Sequence, residues 1–361
     1  MNVAAWKPTL RDRLERLMAR VLLRLPHRTL IRLSGKPQIV VDGQTLHPEI
    51  QFLLAARKLR NAHPLRAETA PLARQRMLAE SRRYAGDPIA LVVHDVRVLS
   101  HGHVLAARHY APPGHGGPHP LLVFFHGGGF ALGDLETHDE ACRILCQRAG
   151  VHVLSVAYRL APEHPFPAAI EDGESAFRWA LENAASLGAD PSRVGVGGDS
   201  AGGNIAAVVS QSARAHGTPP AFQFLVYPAV DRHETRPSHD FFAEGYFLER
   251  ADIDFFNRCY GTTHLSLDER VSPLRAGSPP AVPTVVITAA FDPLRDEGEA
   301  YAAWLAEHGT PTVLRRMPGM IHGFINLTSV SPAADLAVTE IARLLRQTSR
   351  APRGSGSSAQ C

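Results

Sequence analysis

Short, continuous apolar runs alternate with longer helix-like segments along the last two thirds of the chain. Runs without polar alternation are typical of strands that are buried on both faces. A chain that alternates strand and helix in this way predicts a mostly parallel sheet with helices on both faces. Two earlier runs flank the turn His101-Gly102 and alternate apolar with polar residues, which predicts a hairpin and brings the strands to eight. The predicted strands cover residues 91–99, 104–110, 121–125, 151–157, 193–197, 222–227, 284–290 and 312–317, and the predicted helices among them cover residues 136–148, 168–185, 201–215, 296–307 and 332–346.

The bulk composition indicates a folded protein and excludes several classes. A chain of 361 residues, 45% of them hydrophobic, can bury the core of one large domain with an insertion or of two ordinary domains. Charged residues make up 20%, which is too few for a disordered chain, and a net charge of +3 is too small to indicate nucleic-acid binding. Four cysteines in a chain of this length do not form a disulfide framework, and we expect no metal or redox role for them.

The N-terminal segment differs from the rest of the chain in its charge. Residues 1–36 carry nine Lys or Arg against two acidic residues, so the remainder is mildly acidic. Residues 10–25 are predicted to form an amphipathic helix that ends at Pro26, with arginines along one side of its apolar arc. Such a helix can lie on an anionic membrane, or it can pack on its own domain or on a second copy in a homodimer. The apolar arc consists of Leu10, Leu14, Leu17, Met18, Val21 and Leu25.

No targeting or membrane-spanning segment is expected. Arginines at every third or fourth position interrupt any apolar stretch near the N-terminus that could serve as a secretory signal. The sequence has no run of about 18 uncharged apolar residues, so no transmembrane helix is predicted. We therefore expect a cytoplasmic protein, with peripheral membrane contact through residues 10–25 left open.

Two further segments lie outside the strand–helix alternation. Residues 47–86 are predicted to be helical, with a break near residues 63–64. Residues 231–275 separate two predicted strands by far more than an ordinary connection and are rich in aromatic residues. We expect this insertion to line a pocket or form a lid, and the alternative is a satellite packing cluster. Its aromatic residues are Phe241, Phe242, Tyr246, Phe247, Phe255, Phe256 and Tyr260.

The segment Gly198-Asp199-Ser200-Ala201-Gly202 fits the pattern G-x-S-x-G. In this pattern a strand enters a helix through a turn so tight that larger side chains beside the serine would collide with the backbone. The turn holds the serine hydroxyl above the edge of the sheet, where it can act as a nucleophile. The pattern alone is weak, but here a predicted strand precedes it and a helix of small residues follows it. The G-x-G-x-x-G of a dinucleotide site is missing.

The segment HGGGF at residues 126–130 places three consecutive glycines directly after a predicted strand. Backbone N–H groups of consecutive glycines can point into one concavity, as a tetrahedral oxyanion needs. We expect Gly127 and Gly128 to supply two such donors, with Ala201 after the predicted nucleophile as the third. A phosphate-binding loop is the alternative, but the Lys-Ser/Thr pair of a P-loop is missing.

A serine hydroxyl is a weak nucleophile until a base accepts its proton. His322 stands out among the 19 histidines because it follows the last predicted strand of the sheet. Asp292 lies at the end of the preceding strand and completes the chain order Ser, Asp, His. A carboxylate at the C-terminal edge of a strand points toward a site of this kind. Asp296 and Glu297 are rivals, but acidic residues at the start of a predicted helix are explained by the helix dipole.

Several separated blocks together resemble the hormone-sensitive-lipase family of carboxylesterases, the bacterial family IV group, over roughly residues 45–347. The resemblance implies an α/β-hydrolase fold with a mostly parallel eight-stranded sheet and a helical cap. The cap would consist of residues 1–86 and 231–275, the catalytic domain would cover residues 87–347, and residues 348–361 would form a flexible tail. The blocks are HGGGF at 126–130, YRLAPEHPFPAA at 158–169, GDSAGGN at 198–204, SPLRA at 272–276, FDPLRDEG at 291–298 and PGMIHGF at 318–324.

The resemblance also implies a function. The family's triad falls on Ser200, Asp292 and His322, and its oxyanion glycines fall on Gly127 and Gly128. Members hydrolyse short- to medium-chain acyl esters without a metal ion or an organic cofactor, so the expected partner is a small-molecule ester.

The block at residues 158–169 is implied to brace the oxyanion loop, with Arg159 and Glu163 as internal partners. Three alternatives remain open at this point. The same triad could serve an amide or formamide hydrolase, or a membrane-lipid hydrolase that uses its N-terminal helix as an anchor. A non-catalytic receptor is the third, although a receptor could dispense with a triad residue and this chain has all three.

Overall fold

The computed structural model of the protein describes residues 10–60, 65–114 and 118–351. The described strands are β1 (Val40–Val41), β2 (Gln44–Thr45), β3 (Val92–Ser100), β4 (His103–Ala111), β5 (His119–Phe125), β6 (His152–Val156), β7 (Ala189–Asp199), β8 (Gln223–Val226), β9 (Thr284–Phe291) and β10 (Thr312–Ile321). The described helices are α1 (Leu10–Leu22), α2 (His27–Leu33), α3 (Pro48–Leu59), α4 (Ala70–Tyr84), α5 (Asp139–Ala149), α6 (Ala168–Asn183), α7 (Ala201–Ala215), α8 (Pro237–Phe241), α9 (Arg250–Tyr260), α10 (Arg295–Glu307) and α11 (Pro332–Arg350).

Eight of the strands form one sheet in the order β10-β9-β8-β7-β5-β6-β4-β3. Neighbouring strands from β10 to β6 are parallel, and antiparallel pairing joins β4 to β6 and β3 to β4. The strands β1 and β2 form a separate two-stranded sheet. The predicted α/β-hydrolase fold, with a mostly parallel eight-stranded sheet flanked by helices, is therefore confirmed.

Alternate residues of the central strands face two opposite layers of helices. In β5, Leu121, Val123 and Phe125 pack with residues of α6, α7 and α10. Leu122 and Phe124 pack with residues of α5 and α11 on the other face. Because helices cover both faces, the strands have no need of polar residues, which explains their continuous apolar runs.

The N-terminal segment differs from its prediction. The helix predicted over residues 10–25 ends at Leu22, and α2 begins directly after Pro26. Proline suits the start of a helix because the first N–H groups of a helix have no intrahelical acceptor. The pattern of apolar residues thus located the first helix, whereas Pro26 marks the start of the next helix and not the end of the first.

The C-terminal helix α11 continues to Arg350, three residues into the segment assigned to the tail. The predicted helix break at residues 63–64 and the chain from residue 352 onward lie outside the described residues. Among the helices that the structure describes, none is both long enough and apolar enough to cross a membrane.

Candidate active site

Ser200 occupies the tight turn between β7 and α7. Its φ of 56° and ψ of −119° belong to a conformation that residues with a side chain rarely adopt. A Cβ atom at Gly202 would collide with the carbonyl oxygen of Phe125, and so would a Cβ atom at Gly198. The glycines of the G-x-S-x-G pattern are therefore required by the close approach of β5 to this turn.

A continuous chain of hydrogen bonds links Ser200, His322 and Asp292. The Nε2 atom of His322 lies 2.9 Å from Ser200 Oγ, and its Nδ1 atom lies 2.8 Å from Asp292 Oδ2. The other carboxylate oxygen of Asp292 accepts the N–H of Leu294 at 2.9 Å. A neutral imidazole that donates Nδ1–H to the aspartate leaves Nε2 free to accept the serine proton. The structure thus brings together the three residues that the sequence singled out.

The sheet topology explains why these residues meet. Ser200 follows β7, Asp292 follows β9, and His322 follows β10, all at the C-terminal edge of the parallel strands. Side chains at this edge converge although they are far apart in the sequence. Asp292 is fully buried, while Ser200 is 9% and His322 6% exposed, so the chain of hydrogen bonds runs from the interior to a cavity.

The rival acidic residues are engaged elsewhere. Glu297 accepts the N–H groups of Val230 at 2.7 Å and Asp231 at 3.2 Å. Asp296 accepts the N–H of Ser238 at 2.8 Å. Both carboxylates thus hold the start of the 231–275 insertion against α10, which leaves Asp292 as the carboxylate that contacts His322.

The glycine loop departs from the prediction in one donor. The N–H of Gly127 donates to Asp199 Oδ1 at 2.8 Å, so it is occupied and does not face the cavity as an open donor. Gly128 and Gly129 have positive φ angles of 121° and 61°, and both line the cavity beside Ser200. Neither N–H has a hydrogen-bond acceptor among the described residues. Ala201 is the first residue of α7, where an N–H has no intrahelical acceptor.

Asp199, which the sequence reasoning passed over, lies beneath this loop. Besides Gly127, it faces His138, whose Nε2 atom lies 3.4 Å from Asp199 Oδ1, and Tyr227, whose hydroxyl donates to Oδ2 at 3.4 Å. Burial alone would raise the pKa of Asp199. The nearby His138, the Gly127 amide and His322 outweigh burial, so the pKa lies below its ordinary value. Its position directly before the serine of the G-x-S-x-G pattern is the sequence feature that could have identified Asp199 as part of the site.

The block at residues 158–169 contacts the glycine loop. The hydroxyl of Tyr158 donates to the carbonyl oxygen of His126 at 2.8 Å, and the two rings stack with centroids 4.4 Å apart. Burial lowers the pKa of His126 to about 4, so its ring is neutral near pH 7. The N–H of Ala161 donates to the carbonyl oxygen of Phe130 at 2.9 Å. These contacts hold both ends of the glycine segment.

Arg159 and Glu163 form internal ion pairs, but with other residues and not with each other. Arg159 binds Asp172, with Nε 2.9 Å from Oδ2, next to α6. Glu163 binds Arg74 of α4 at 2.6 Å. The second pair thus ties the block to the N-terminal helices.

A cavity of about 240 Å³ opens beside Ser200 and His322. Its wall is mainly apolar and comes from the catalytic sheet, from the N-terminal helices and from the 231–275 insertion. The apolar side chains include Leu65, Met77, Phe247, Leu248, Ile253, Phe256, Leu294 and Ile321.

The aromatic residues of the insertion divide between the two roles expected for them. Phe247 and Phe256 line the cavity. Phe242 packs against Phe291 at the end of β9. Tyr260 stacks on the ring of Phe130, with the ring centroids 3.9 Å apart. The insertion therefore contributes both a cavity wall and a packing cluster.

Among the described residues, one group of three side chains has ligand atoms close enough to hold a metal ion: His27, His47 and Glu49, with those atoms within 4.8 Å of one another. These residues lie at the starts of α2 and α3 and do not line the cavity.

A family model described as alpha/beta hydrolase fold matches residues 122–326, which is more than half of the chain. The chain belongs to the α/β-hydrolase family. Carboxylic ester hydrolase LipN of Mycobacterium tuberculosis (strain ATCC 25618 / H37Rv) is 42% identical over 324 residues, which cover 87% of this chain and 86% of the relative. An ethyl acetate hydrolase of Pseudomonas putida is 34% identical over 84% of this chain and 99% of its own.

Solved structures show the same relationship. The ester-hydrolase EH1AB1 from the metagenome of Lake Arreo, complexed with a derivative of bipyridine phosphonate, has a TM-score of 0.79 and 42% sequence identity. The match covers 84% of this chain and 98% of that structure. Together with the relatives, it confirms the resemblance to the hormone-sensitive-lipase family of carboxylesterases.

Proposed function

We propose that the protein hydrolyses short- to medium-chain acyl esters with Ser200 as nucleophile, His322 as general base and Asp292 as the acid that orients the histidine. The observation that carries this proposal is the hydrogen-bonded chain from Asp292 through His322 to Ser200, which ends at an apolar cavity. Family membership and the names of relatives that match most of the chain make it a carboxylic-ester hydrolase. The substrate class and the roles of individual residues are the proposed part.

The reaction follows from the geometry of the three residues. Ser200 Oγ attacks the carbonyl carbon of the ester while His322 Nε2 accepts the serine proton, and ionised Asp292 stabilises the resulting imidazolium. The bond from the carbonyl carbon to the alcohol oxygen then breaks, and His322 returns its proton to the leaving alcohol. Water attacks the acyl-enzyme, His322 accepts the water proton, and the carboxylic acid leaves as Ser200 regains a proton.

The oxyanion of each tetrahedral intermediate is proposed to accept hydrogen bonds from Gly128, Gly129 and Ala201. All three line the cavity beside Ser200, whereas the N–H of Gly127, a donor in the sequence prediction, already donates to Asp199. Losing a preorganised donor of this kind costs about 2.7–4 kcal/mol of transition-state stabilisation.

Residues 1–86 and 231–275 are proposed to act as the cap that limits the size of the substrate. Met77 from the first segment, and Phe247 and Leu248 from the second, line the cavity. A cavity of about 240 Å³ lies below the usual range of small-molecule sites, about 300–1,000 Å³. This size favours short or medium acyl chains over long ones.

The proposal is tested by hydrolysis of p-nitrophenyl esters of increasing acyl length by the wild type and by Ser200→Ala. We expect activity that peaks at short or medium chains and that falls about 10⁴-fold or more in the variant, because removal of the nucleophile leaves only oxyanion and binding contributions. Ser210→Ala is the matched control, since Ser210 is a fully buried serine of α7, the helix that follows Ser200, and its substitution should leave turnover unchanged.

Three outcomes would contradict the proposal in whole or in part. If correctly folded Ser200→Ala retained near-normal turnover, Ser200 would not be the nucleophile. If the wild type cleaved matched amides faster than esters, the same triad would belong to an amide hydrolase. A peak at long acyl chains would contradict only the proposed substrate size.

A further inference from the structure

Helix α1 packs on the body of the protein through its polar side. Arg16 is buried, whereas Leu14, Leu17 and Val21 are each more than half exposed. At about 100° per residue, Arg16 lies on the opposite side of the helix from the exposed apolar residues. An amphipathic helix that packs on a folded domain normally buries its apolar side, so the orientation of α1 is inverted.

Polar contacts to the backbone hold α1 in this orientation. Arg16 Nη1 donates to the carbonyl oxygen of Ala85, at the end of α4. Arg20 Nε donates to the carbonyl oxygen of Ser329 at 2.6 Å. Because two arginines on one side of the helix bind carbonyl groups of two separate segments, the apolar side is left facing solvent.

The outward surface, which we call the α1 face, combines apolar and basic side chains. A contiguous apolar patch on a protein surface marks an interaction site more often than a scatter of single residues does. Residues 1–36 also carry the positive excess of the whole chain, nine Lys or Arg against two acidic residues. The α1 face comprises the exposed residues Arg13, Leu14, Leu17, Met18, Val21, Leu22 and Arg24 of α1 and the turn after it, with Arg28, Arg32 and Leu33 of α2.

We propose that the α1 face binds the surface of an anionic lipid bilayer. Its leucine, methionine and valine side chains would enter the boundary between headgroups and acyl chains, and its arginines would pair with lipid phosphates. The positive excess is complementary to an anionic lipid surface, which attracts basic segments next to a buried apolar face.

The same charges argue against a second copy of the chain as the occupant. In a two-fold symmetric dimer a patch packs against itself, so the arginines of one copy would face those of the other. The acidic residues of residues 1–36 are Asp12 and Glu15, and Glu15 is paired with Arg83 at 3.2 Å. Every charged side chain among the described residues of the α1 face is an arginine, so the described part of the face lacks the negative charge that self-association would need.

The position of α1 relates the bilayer to the cavity. The carbonyl groups that hold α1 belong to Ala85 and Ser329, which lie within two residues of Tyr84 and Leu327. Both Tyr84 and Leu327 line the cavity. A bilayer bound to the α1 face would thus lie close to segments that form the wall of the proposed esterase site.

The test is co-sedimentation of the full chain with vesicles of phosphatidylcholine alone or with about 30% phosphatidylglycerol. We expect binding to the anionic vesicles, little binding to the neutral ones, and release at about 0.5 M NaCl, which screens the arginines. The variant Leu17→Gln/Val21→Gln should bind anionic vesicles at least about tenfold more weakly because it removes apolar insertion. Arg24→Gln/Arg28→Gln should bind about 25-fold more weakly, or about fivefold for each arginine.

The matched control is Leu267→Gln/Leu336→Gln, since both leucines are at least as exposed as those of the α1 face but lie elsewhere on the surface. This control should bind like the wild type. All four substituted positions of the two leucine and valine variants are exposed, and unchanged far-UV circular dichroism would show that the variants fold.

Equal binding by the wild type and Leu17→Gln/Val21→Gln, or no binding by the wild type, would overturn the proposal. A wild-type dimer that this variant converts to a monomer, without vesicle binding, would assign the face to a second copy. Vesicle binding does not require turnover, so Ser200→Ala should bind as the wild type does. A failure of the esterase proposal would therefore be seen separately from a failure of the membrane proposal.

Discussion

Replacing Asp199 by alanine tests whether this buried carboxylate sets the geometry of the oxyanion loop. Asp199 is 3% exposed, and its Oδ1 atom accepts the N–H of Gly127 at 2.8 Å. Removing a charged acceptor leaves a buried donor unpaired, which costs about 1–3 kcal/mol. The contacts with His138 and Tyr227 are lost at the same time, so we expect the free energy of unfolding to fall by about 3 kcal/mol.

The kinetic effect should be larger than this loss of stability suggests. Gly127 precedes the two glycines proposed as oxyanion donors, so a released Gly127 lets Gly128 and Gly129 turn away from the substrate. Loss of one oxyanion donor lowers kcat by about 10²–10³-fold. We therefore expect kcat for p-nitrophenyl butyrate to fall about 100-fold in Asp199→Ala, with KM within about threefold of the wild type.

Two further variants separate positioning from general stability. Asp199→Asn keeps an acceptor oxygen for Gly127 and should recover most of kcat. Glu299→Ala is the control. It removes a carboxylate that pairs with Arg316, with Oε2 and Nη2 2.6 Å apart, at a site that does not line the cavity, so it should lower the thermal midpoint without changing kcat. If Asp199→Ala lost stability as expected but kept kcat within about threefold, the carboxylate would be structural only and the reasoning would be refuted.

Three more changes have defined outcomes. Gly202→Ala places a Cβ atom against the carbonyl oxygen of Phe125, so turnover should fall about 100-fold or more, or the chain should fail to fold. Met77→Ala enlarges the cavity from the N-terminal side, so the preferred acyl chain in the ester series should lengthen. His109 of β4 and His152 of β6 form a buried pair, in which His109 Nε2 lies 2.9 Å from His152 Nδ1. Burial, with the charge of neighbouring histidines, lowers the pKa of both to about 4. An unfolded histidine has a pKa of about 6.5, so the stability held by this neutral pair is complete above about pH 6.5 and is lost as the pH falls toward 4.

Each of these changes has a control or an outcome that would contradict it. Gly277→Ala should be neutral, because nothing lies within 4 Å of a Cβ atom at that position. A fall in thermal midpoint between pH 7 and about pH 4.5 should be smaller in His109→Gln than in the wild type, and an equal fall would show that other groups control acid stability. Met77→Ala would argue against the cap proposal if the acyl-chain preference stayed the same.

The meeting of Ser200, Asp292 and His322 could be predicted because each follows a strand of a parallel sheet. Apolar runs locate those strands, and a parallel sheet brings their C-terminal ends to one edge. The order of the three residues then leaves few alternatives. In the sequence, only their place at the start of a predicted helix distinguishes Asp296 and Glu297 from Asp292 as candidates for the acid. In the structure, both accept backbone N–H groups at or next to the start of the insertion.

The oxyanion donors proposed from the structure differ by one residue from those that the sequence predicts, because the N–H of Gly127 donates to Asp199. Consecutive glycines show that amides can converge, but not which amide is already occupied. That depends on Asp199, whose burial under the loop follows from the packing of β5 against β7 and not from any local pattern. The orientation of α1 could likewise not be predicted from the sequence, because periodicity locates an apolar arc without showing which side of the helix faces the protein. This orientation depends on the backbone carbonyl groups of Ala85 and Ser329, which bind Arg16 and Arg20.

The cavity wall and the glycine loop share a contact, so we expect a change in substrate size to change turnover as well. A side chain at Gly129 would collide with the ring of Phe256, which means that this ring of α9 rests directly on the glycine backbone. Phe256 also packs in one cluster with Leu132. Reducing Phe256 to alanine would therefore enlarge the cavity and loosen Gly129, so kcat should fall along with any change in acyl preference. Met77 lines the cavity from α4, so its replacement enlarges the cavity with that contact intact.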